Sequence, residues 1–203
     1  MKIIEARPAP NPRRVRIFLA EKGIEVEYES VSLFELEHKS EAFTKLNPMQ
    51  RVPVLVLDDG TTICETVAIC RYFEELQPEP ALMGKGALGK ATVEMWQRWM
   101  EADLFWTVGN TFRHTVERMK VLENPQIPEW GEVNRGRAMA FLEVLDKQLA
   151  DKPFVTGDDY TIADVTGLCA IDFMKPAKME VPAEHANVLR WYADIAARPS
   201  AQA

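Results

Sequence analysis

Arg51-Val52-Pro53-Val54-Leu55-Val56-Leu57-Asp58-Asp59-Gly60-Thr61-Thr62-Ile63-Cys64-Glu65-Thr66 is the stretch on which the fold turns. Val52 to Leu57 is an apolar, β-branched run that reads as a buried strand. Asp58-Asp59-Gly60 is a hairpin signal, because the last turn position needs a residue that tolerates positive φ. Thr61 to Cys64 then returns as the antiparallel partner. Pro53 donates no ladder hydrogen bond, so it belongs at the head of the strand and not inside it. Two peptide forms suit that place. An ordinary trans proline would close a strand edge, and a cis bond would bare the N–H and C=O of Val52 to an extended peptide. Glu65-Thr66 sits where the strand gives way to a helix running to about Leu76, with Pro78 beyond its end.

Working toward the N-terminus, Lys2 to Ala6 reads as a short strand and Glu25 to Val31 as a half-buried one. Between them Asn11-Pro12 has the signature of a helix start, with Asn as cap and Pro at the first helical position. Val15, Phe18, Leu19 and Lys22 keep helical spacing, and Gly23 is the expected stop. A further helix is expected near Ser40 to Leu46. Strand, helix, strand, helix, strand, strand, helix gives a four-stranded mixed sheet: a parallel βαβ unit joined to an antiparallel hairpin.

Toward the C-terminus the composition changes. Residues 79–89, with Pro80 and glycines at 84, 86 and 89, read as a flexible linker. Gly84 to Lys90 resembles glycine-rich phosphate loops, but no strand precedes it and Ala91 lacks the hydroxyl such a loop uses. Ala91 to Met119 is one long helical pattern rich in Trp and Met. Asn124 to Gly131 interrupts it, Arg135 to Ala150 carries a helical stripe, and a last helix is expected from Val188 to Ala197. Thr161 and Asp164 have the spacing of a capping box, with Tyr160 and Val165 as a hydrophobic staple. They are expected to be structural, at ~1 kcal/mol for the cap. The expected division is therefore 1–78, an α/β domain, and 90–203, an all-helical one.

The chain has 203 residues, 24 basic against 31 acidic, for a net charge of −7. That balance lacks the electrostatic footprint of a nucleic-acid binder and suits an anionic membrane poorly. No apolar run is long enough to span a bilayer. Met1 to Arg14 has no apolar stretch of the kind a signal peptide carries, and Cys64, Cys70 and Cys169 are scattered, so reduced thiols in a cytoplasmic setting are expected. His38, His114 and His185 have no metal-ligand spacing, and no metal site is expected.

Three features of the first domain converge. Asn11 stands at a helix start with Arg13, Arg14 and Arg16, where an anion such as a thiolate would be welcome; the arginines themselves read as solvated. Val52-Pro53 offers backbone groups. Thr66 and the helix-start N–H groups suit a carboxylate, and Glu65 suits an ammonium, the two halves of an amino acid's zwitterionic end. A plain helix cap at Thr66 is the simpler alternative.

In this order these features, with PNPRRVRIFLAEKGI, NPMQRVPVL, ETVAICRYFEE and TGDDYTIADV, resemble the cytosolic glutathione transferase family over nearly the whole chain. The resemblance implies a thioredoxin-like first domain, an α-helical second domain, a homodimer, and glutathione as co-substrate for attack on a small hydrophobic electrophile or a disulfide. It implies that the Val52 backbone, ahead of Pro53, pairs with the cysteinyl part. It implies that Glu65 and Thr66 hold the γ-glutamyl end, with Asp103 of a neighbouring subunit near its amine. Lys39, or His38 or Gln50, would meet the glycyl carboxylate. The family usually places Tyr, Ser or Cys near the thiol, and here those places fall on Ala9 and Pro10; the resemblance implies Asn11 as the catalytic candidate, since it matches an Asn found after Thr-Pro in some bacterial members. Trp106, Asn110 and Phe173 are the expected walls of a second-substrate pocket. The alternative that Ala9 favours is a glutathione-binding regulatory protein without turnover.

Overall fold

The computed structural model describes residues 1–203, which divide into two compact units: 1–80 with 202–203, and 81–201. In the first unit the strands β1 (Lys2–Glu5), β2 (Glu27–Ser30), β3 (Val54–Val56) and β4 (Thr62–Cys64) form one mixed sheet in the order β2-β1-β3-β4. β1 runs parallel to β2, with Lys2 opposite Glu27, and antiparallel to β3, with Ile4 opposite Val54. β3 and β4 are the antiparallel hairpin, with Val54 opposite Cys64. The helices are α1 (Pro10–Lys22), α2 (Glu41–Leu46) and α3 (Thr66–Leu76). Alternation along the strands buries both faces. Ile4, Ala6, Val52 and Val54 pack with Phe43 of α2 on one side, while Ile3 and Leu55 are fully buried on the other.

α1 begins one residue before Asn11, so the expected cap is corrected. Ala9 is the N-cap and Pro10 takes the first helical position, its fixed φ already suiting the helix. Gly23, at φ 65°, closes the helix as expected. The arginines are corrected too, since Arg14 is 1% exposed and Arg16 7%. Arg16 reaches back to the buried Glu5 of β1, which also accepts from Arg7 Nε at 2.9 Å. At the other end of α1 the Lys22 ammonium is wholly buried. It donates to the Gln77 carbonyl at 2.8 Å and the Pro80 carbonyl at 2.7 Å, and it forms an ion pair with Glu74 of α3 at 2.7 Å.

The second unit contains α4 (Gly86–Trp99), α5 (Trp106–Thr115), α6 (Pro128–Gln148), α7 (Ile162–Met174) and α8 (Ala186–Ala196). Three expectations shift. The 79–89 segment is not a plain linker: Leu82 and Met83 are 2% exposed, and α4 starts at Gly86. Gly84 is required there, because a Cβ would lie 2.6 Å from the Gly89 carbonyl oxygen. The long Ala91–Met119 pattern is broken by a π-helical stretch at Met100–Phe105, which a 3.6-residue period does not register. α6 begins at Pro128 and not near Arg135, since a proline at the first helical position opens a helix where it would break one further along.

α7 is the central helix, with Ile162 to Ile171 buried without a break. The capping box of Thr161 and Asp164 opens it. The fully buried Asp164 carboxylate accepts from the Val155 N–H (2.9 Å), the Thr161 N–H (2.9 Å) and hydroxyl (3.1 Å), and Trp191 Nε1 of α8 (2.9 Å). Burial pushes this carboxyl up from its ordinary value, and those four donors pull the other way. Trp191 lies so close to α7 that a Cβ at Gly167 would meet its ring at 2.5 Å. No helix is long and apolar enough to cross a membrane.

Candidate glutathione site

Three chain segments come together at one end of the first unit's sheet. Ala6 leaves β1 and turns into α1 through the Ala9 N–H to Ala6 carbonyl bond at 2.8 Å. Val52 precedes β3, and Cys64 ends β4. Ala6, Ala9, Val52, Val54 and Cys64 share one apolar cluster, so the starts of α1 and α3 and the Val52–Pro53 peptide flank the same ground.

Asn11 is the second residue of α1. Between Pro10 and Pro12 it holds the only backbone N–H among the first three helical positions. Its Oδ1 accepts from Arg14 Nη1 at 3.1 Å. Ala9, at the family's usual hydroxyl place, packs into the apolar cluster.

The Val52–Pro53 peptide is cis. Val52 forms no backbone–backbone hydrogen bond with the rest of the chain. The loop before it is held by buried Asn47, whose Nδ2 donates to the Arg51 carbonyl at 2.8 Å and whose Oδ1 accepts from the Met49 N–H at 3.0 Å. Gln50 sits in this loop at φ 53°, and its Nε2 donates to Thr44 Oγ1 at 3.0 Å. Lys39 is exposed on the single 3₁₀ turn before α2, whereas His38 beside it is buried.

Glu65 is exposed and occupies the N-cap of α3 at φ 72°, ψ 127°. A glutamate in that region is strained, at about 1–3 kcal/mol. Thr66, 5% exposed, is the first helical residue. The alternative that Thr66 caps its helix is therefore corrected, because the cap position belongs to Glu65. No side chain caps α3, so the N–H groups of its first turn remain open. Burial, followed by the Glu65 charge, pushes the Cys64 thiol up from its ordinary value.

In the second unit, Phe173 packs against Phe105 and Phe112, with ring centroids 6.2 and 5.1 Å apart. Trp106 is 58% exposed, and Asn110, one turn on, reaches Asn134 of α6 at 3.4 Å. The structure thus packs Phe173 against Phe105 of the π-helical stretch and Phe112 of α5, with Trp106 and Asn110 on another face of α5. A separate open cleft of about 600 Å³ is lined by His114, Glu117, Lys120, Gln126 and Glu132 and includes none of these three. Sequence reasoning missed Arg14 and Asn47 as supports of the site. For Asn47 the signal was available: a short polar side chain just before a turn bonds the backbone two residues on.

A mixed sheet with a cis proline at one end, an uncapped helix start beside it, and a following helical unit define a class, the thioredoxin-like domain joined to an all-α domain. Comparison with known proteins narrows it. The Glutathione S-transferase, N-terminal domain matches residues 9–76, and the Glutathione S-transferase, C-terminal domain matches residues 128–194. Glutathione S-transferase 2 of Saccharomyces cerevisiae is 36% identical, over 98% of this chain and 87% of that one. A glutathione S-transferase domain-containing protein of Marinobacter aquaeolei superposes with a TM-score of 0.95 at 37% identity, over 98% of this chain and 99% of that one. The structure of Gtt2 from S. cerevisiae gives 0.95 at 35% identity, over 100% and 99%. The chain belongs to the glutathione S-transferase family.

Proposed function

We propose that this glutathione transferase holds glutathione across the sheet end. In this reading the Val52 backbone pairs with the cysteinyl part, Thr66 and the α3 N–H groups hold the γ-glutamyl carboxylate, and Glu65 meets the ammonium. Lys39 or Gln50 faces the glycyl carboxylate, Lys39 being the freer because Gln50 is engaged with Thr44. Asn11 donates its side-chain amide to the sulfur. The observation that carries the reading is the open, strained start of α3 beside the unpaired Val52 backbone.

An ordinary thiol, at pKa ~8.5, is only a few per cent ionised at pH 7. Donors and a helix start at the sulfur favour the thiolate. The thiolate then forms a carbon–sulfur bond to an electrophile, which loses its leaving group or takes up the charge. With a disulfide it displaces one sulfur, and a second glutathione completes the exchange to oxidised glutathione. Trp106, Asn110 and Phe173 are proposed walls for the second substrate. The reported yeast relative is named as a transferase, which supports turnover over a binding-only role. Chlorodinitrobenzene and hydroxyethyl disulfide assays separate the two: binding with no turnover in either would leave the binding-only role.

Thr66→Ala tests the placement. It removes one hydrogen bond to a charged group, roughly 1.5–3 kcal/mol, and should weaken calorimetric affinity for glutathione roughly tenfold to a hundredfold. Thr66→Ser should restore most of it. Wild-type affinity in folded Thr66→Ala would remove the γ-glutamyl end from this position.

The proposed assembly is a homodimer in a cytoplasmic setting. α4 exposes Leu88 (82%), Met95 (41%) and Trp99 (40%) at helical spacing, an apolar stripe that a second copy would cover. Three free cysteines suit a reducing compartment. Sedimentation at micromolar concentration should give the dimer mass, and a monomer there would refute the assembly.

A further inference from the structure

We propose that Arg14 is a positioning residue, locking the Asn11 carboxamide so that its NH₂, and not its oxygen, faces the glutathione sulfur. This rests on the reading in which Asn11 donates to that sulfur. A carboxamide offers two faces of opposite character: Oδ1 accepts and Nδ2 donates. Turned one way Asn11 would stabilise a thiolate, and turned the other it would repel one. The two orientations are nearly equal in shape, so something outside the side chain must choose.

Arg14 makes the choice by chemistry. A guanidinium has donors only, and its Nη1 stands 3.1 Å from the Asn11 carboxamide. Only the amide oxygen can satisfy that contact, so the NH₂ is turned away from Arg14. Arg14 sits three residues on, on the same side of α1, and is 1% exposed, so its guanidinium is not free to swing into water. The local backbone adds weight to Asn11. Pro10 and Pro12 have no N–H, so the first turn of α1 supplies one backbone donor, at Asn11 itself. An anion at this helix start therefore depends on Asn11 more than on the usual ring of N–H groups.

The test is the pKa of glutathione bound to the intact protein, read by ultraviolet thiolate absorbance against pH. Asn11→Ala should raise it by roughly one unit, the loss of one charge-assisted donor. Arg14→Met should raise it by a similar amount and should add little in the Asn11→Ala background. Arg14→Lys, again a donor only, should stay near the wild-type value. If Arg14→Met does not fold, Arg14→Gln replaces it, since an amide partner accepts either orientation of Asn11; a rise with Gln and none with Lys supports the lock. A wild-type pKa in Arg14→Met, equal values for Gln and Lys, or an undiminished rise on the Asn11→Ala background would overturn it. An unchanged pKa in Asn11→Ala itself would overturn the reading of Asn11 instead.

Discussion

Asp164→Ala should be the most damaging single substitution in the second unit. Its carboxylate joins the loop before α7, the first turn of α7 and the indole of α8, through Val155, Thr161 and Trp191. An isolated cap would cost ~1 kcal/mol. Here the change strands buried N–H groups from three places, each of which costs about 1–3 kcal/mol when left unpaired. The expected loss is about 3–5 kcal/mol, and for a chain of this size the melting temperature should fall by roughly 10 °C. Asp164→Asn keeps one acceptor oxygen and should fall between. Glutathione affinity of the remaining folded protein should not change. A loss of turnover with an unchanged melting temperature would make Asp164 a functional residue instead.

Lys22→Met should cost the first unit a comparable amount. It takes the ammonium 2.7 Å away from the buried Glu74 carboxylate and releases the carbonyls of Gln77 and Pro80. Breaking a buried pair by removing one partner costs about 3–5 kcal/mol, whereas replacing both partners by apolar residues is often neutral. Lys22→Met with Glu74→Leu should therefore recover much of the loss. Chemical denaturation of the single and double variants measures this directly. A single variant within about 1 kcal/mol of wild type would mean that the Lys22–Glu74 pair contributes little to stability.

The residues that mark the strands are local in sequence, which is why the parallel βαβ unit and the antiparallel hairpin were readable. A hairpin needs only Asp58 to Gly60 between two β-branched runs, and a strand head with Pro53 needs no distant partner. The segments of the candidate site are local in the same way, each being a strand-to-helix or turn-to-strand junction. What failed was long-range or phase-dependent. The solvated reading of Arg14 and Arg16 could not see that Glu5, on a strand eleven residues before Arg16, waits inside to pair with it. Asp164 looked like a cap because its box lies within four residues, while Trp191 is distant in the chain. Gly86 and Pro128 look like breakers, yet each is the first residue of a helix. The π-helical stretch at Met100–Phe105 has no signature in a pattern assumed to repeat every 3.6 residues.

The two prolines around Asn11 also act where no contact in the folded chain records it. Each fixes one φ before folding begins, so the unfolded chain has fewer states to give up when α1 forms. A compatible proline is worth about 0.4–1 kcal/mol in this way. Pro10 and Pro12 thus trade hydrogen-bond donors at the helix start for a stiffer unfolded segment. The start of α1 is assembled from a chain already half-committed to its shape, with one peptide N–H, that of Asn11, left between the two prolines.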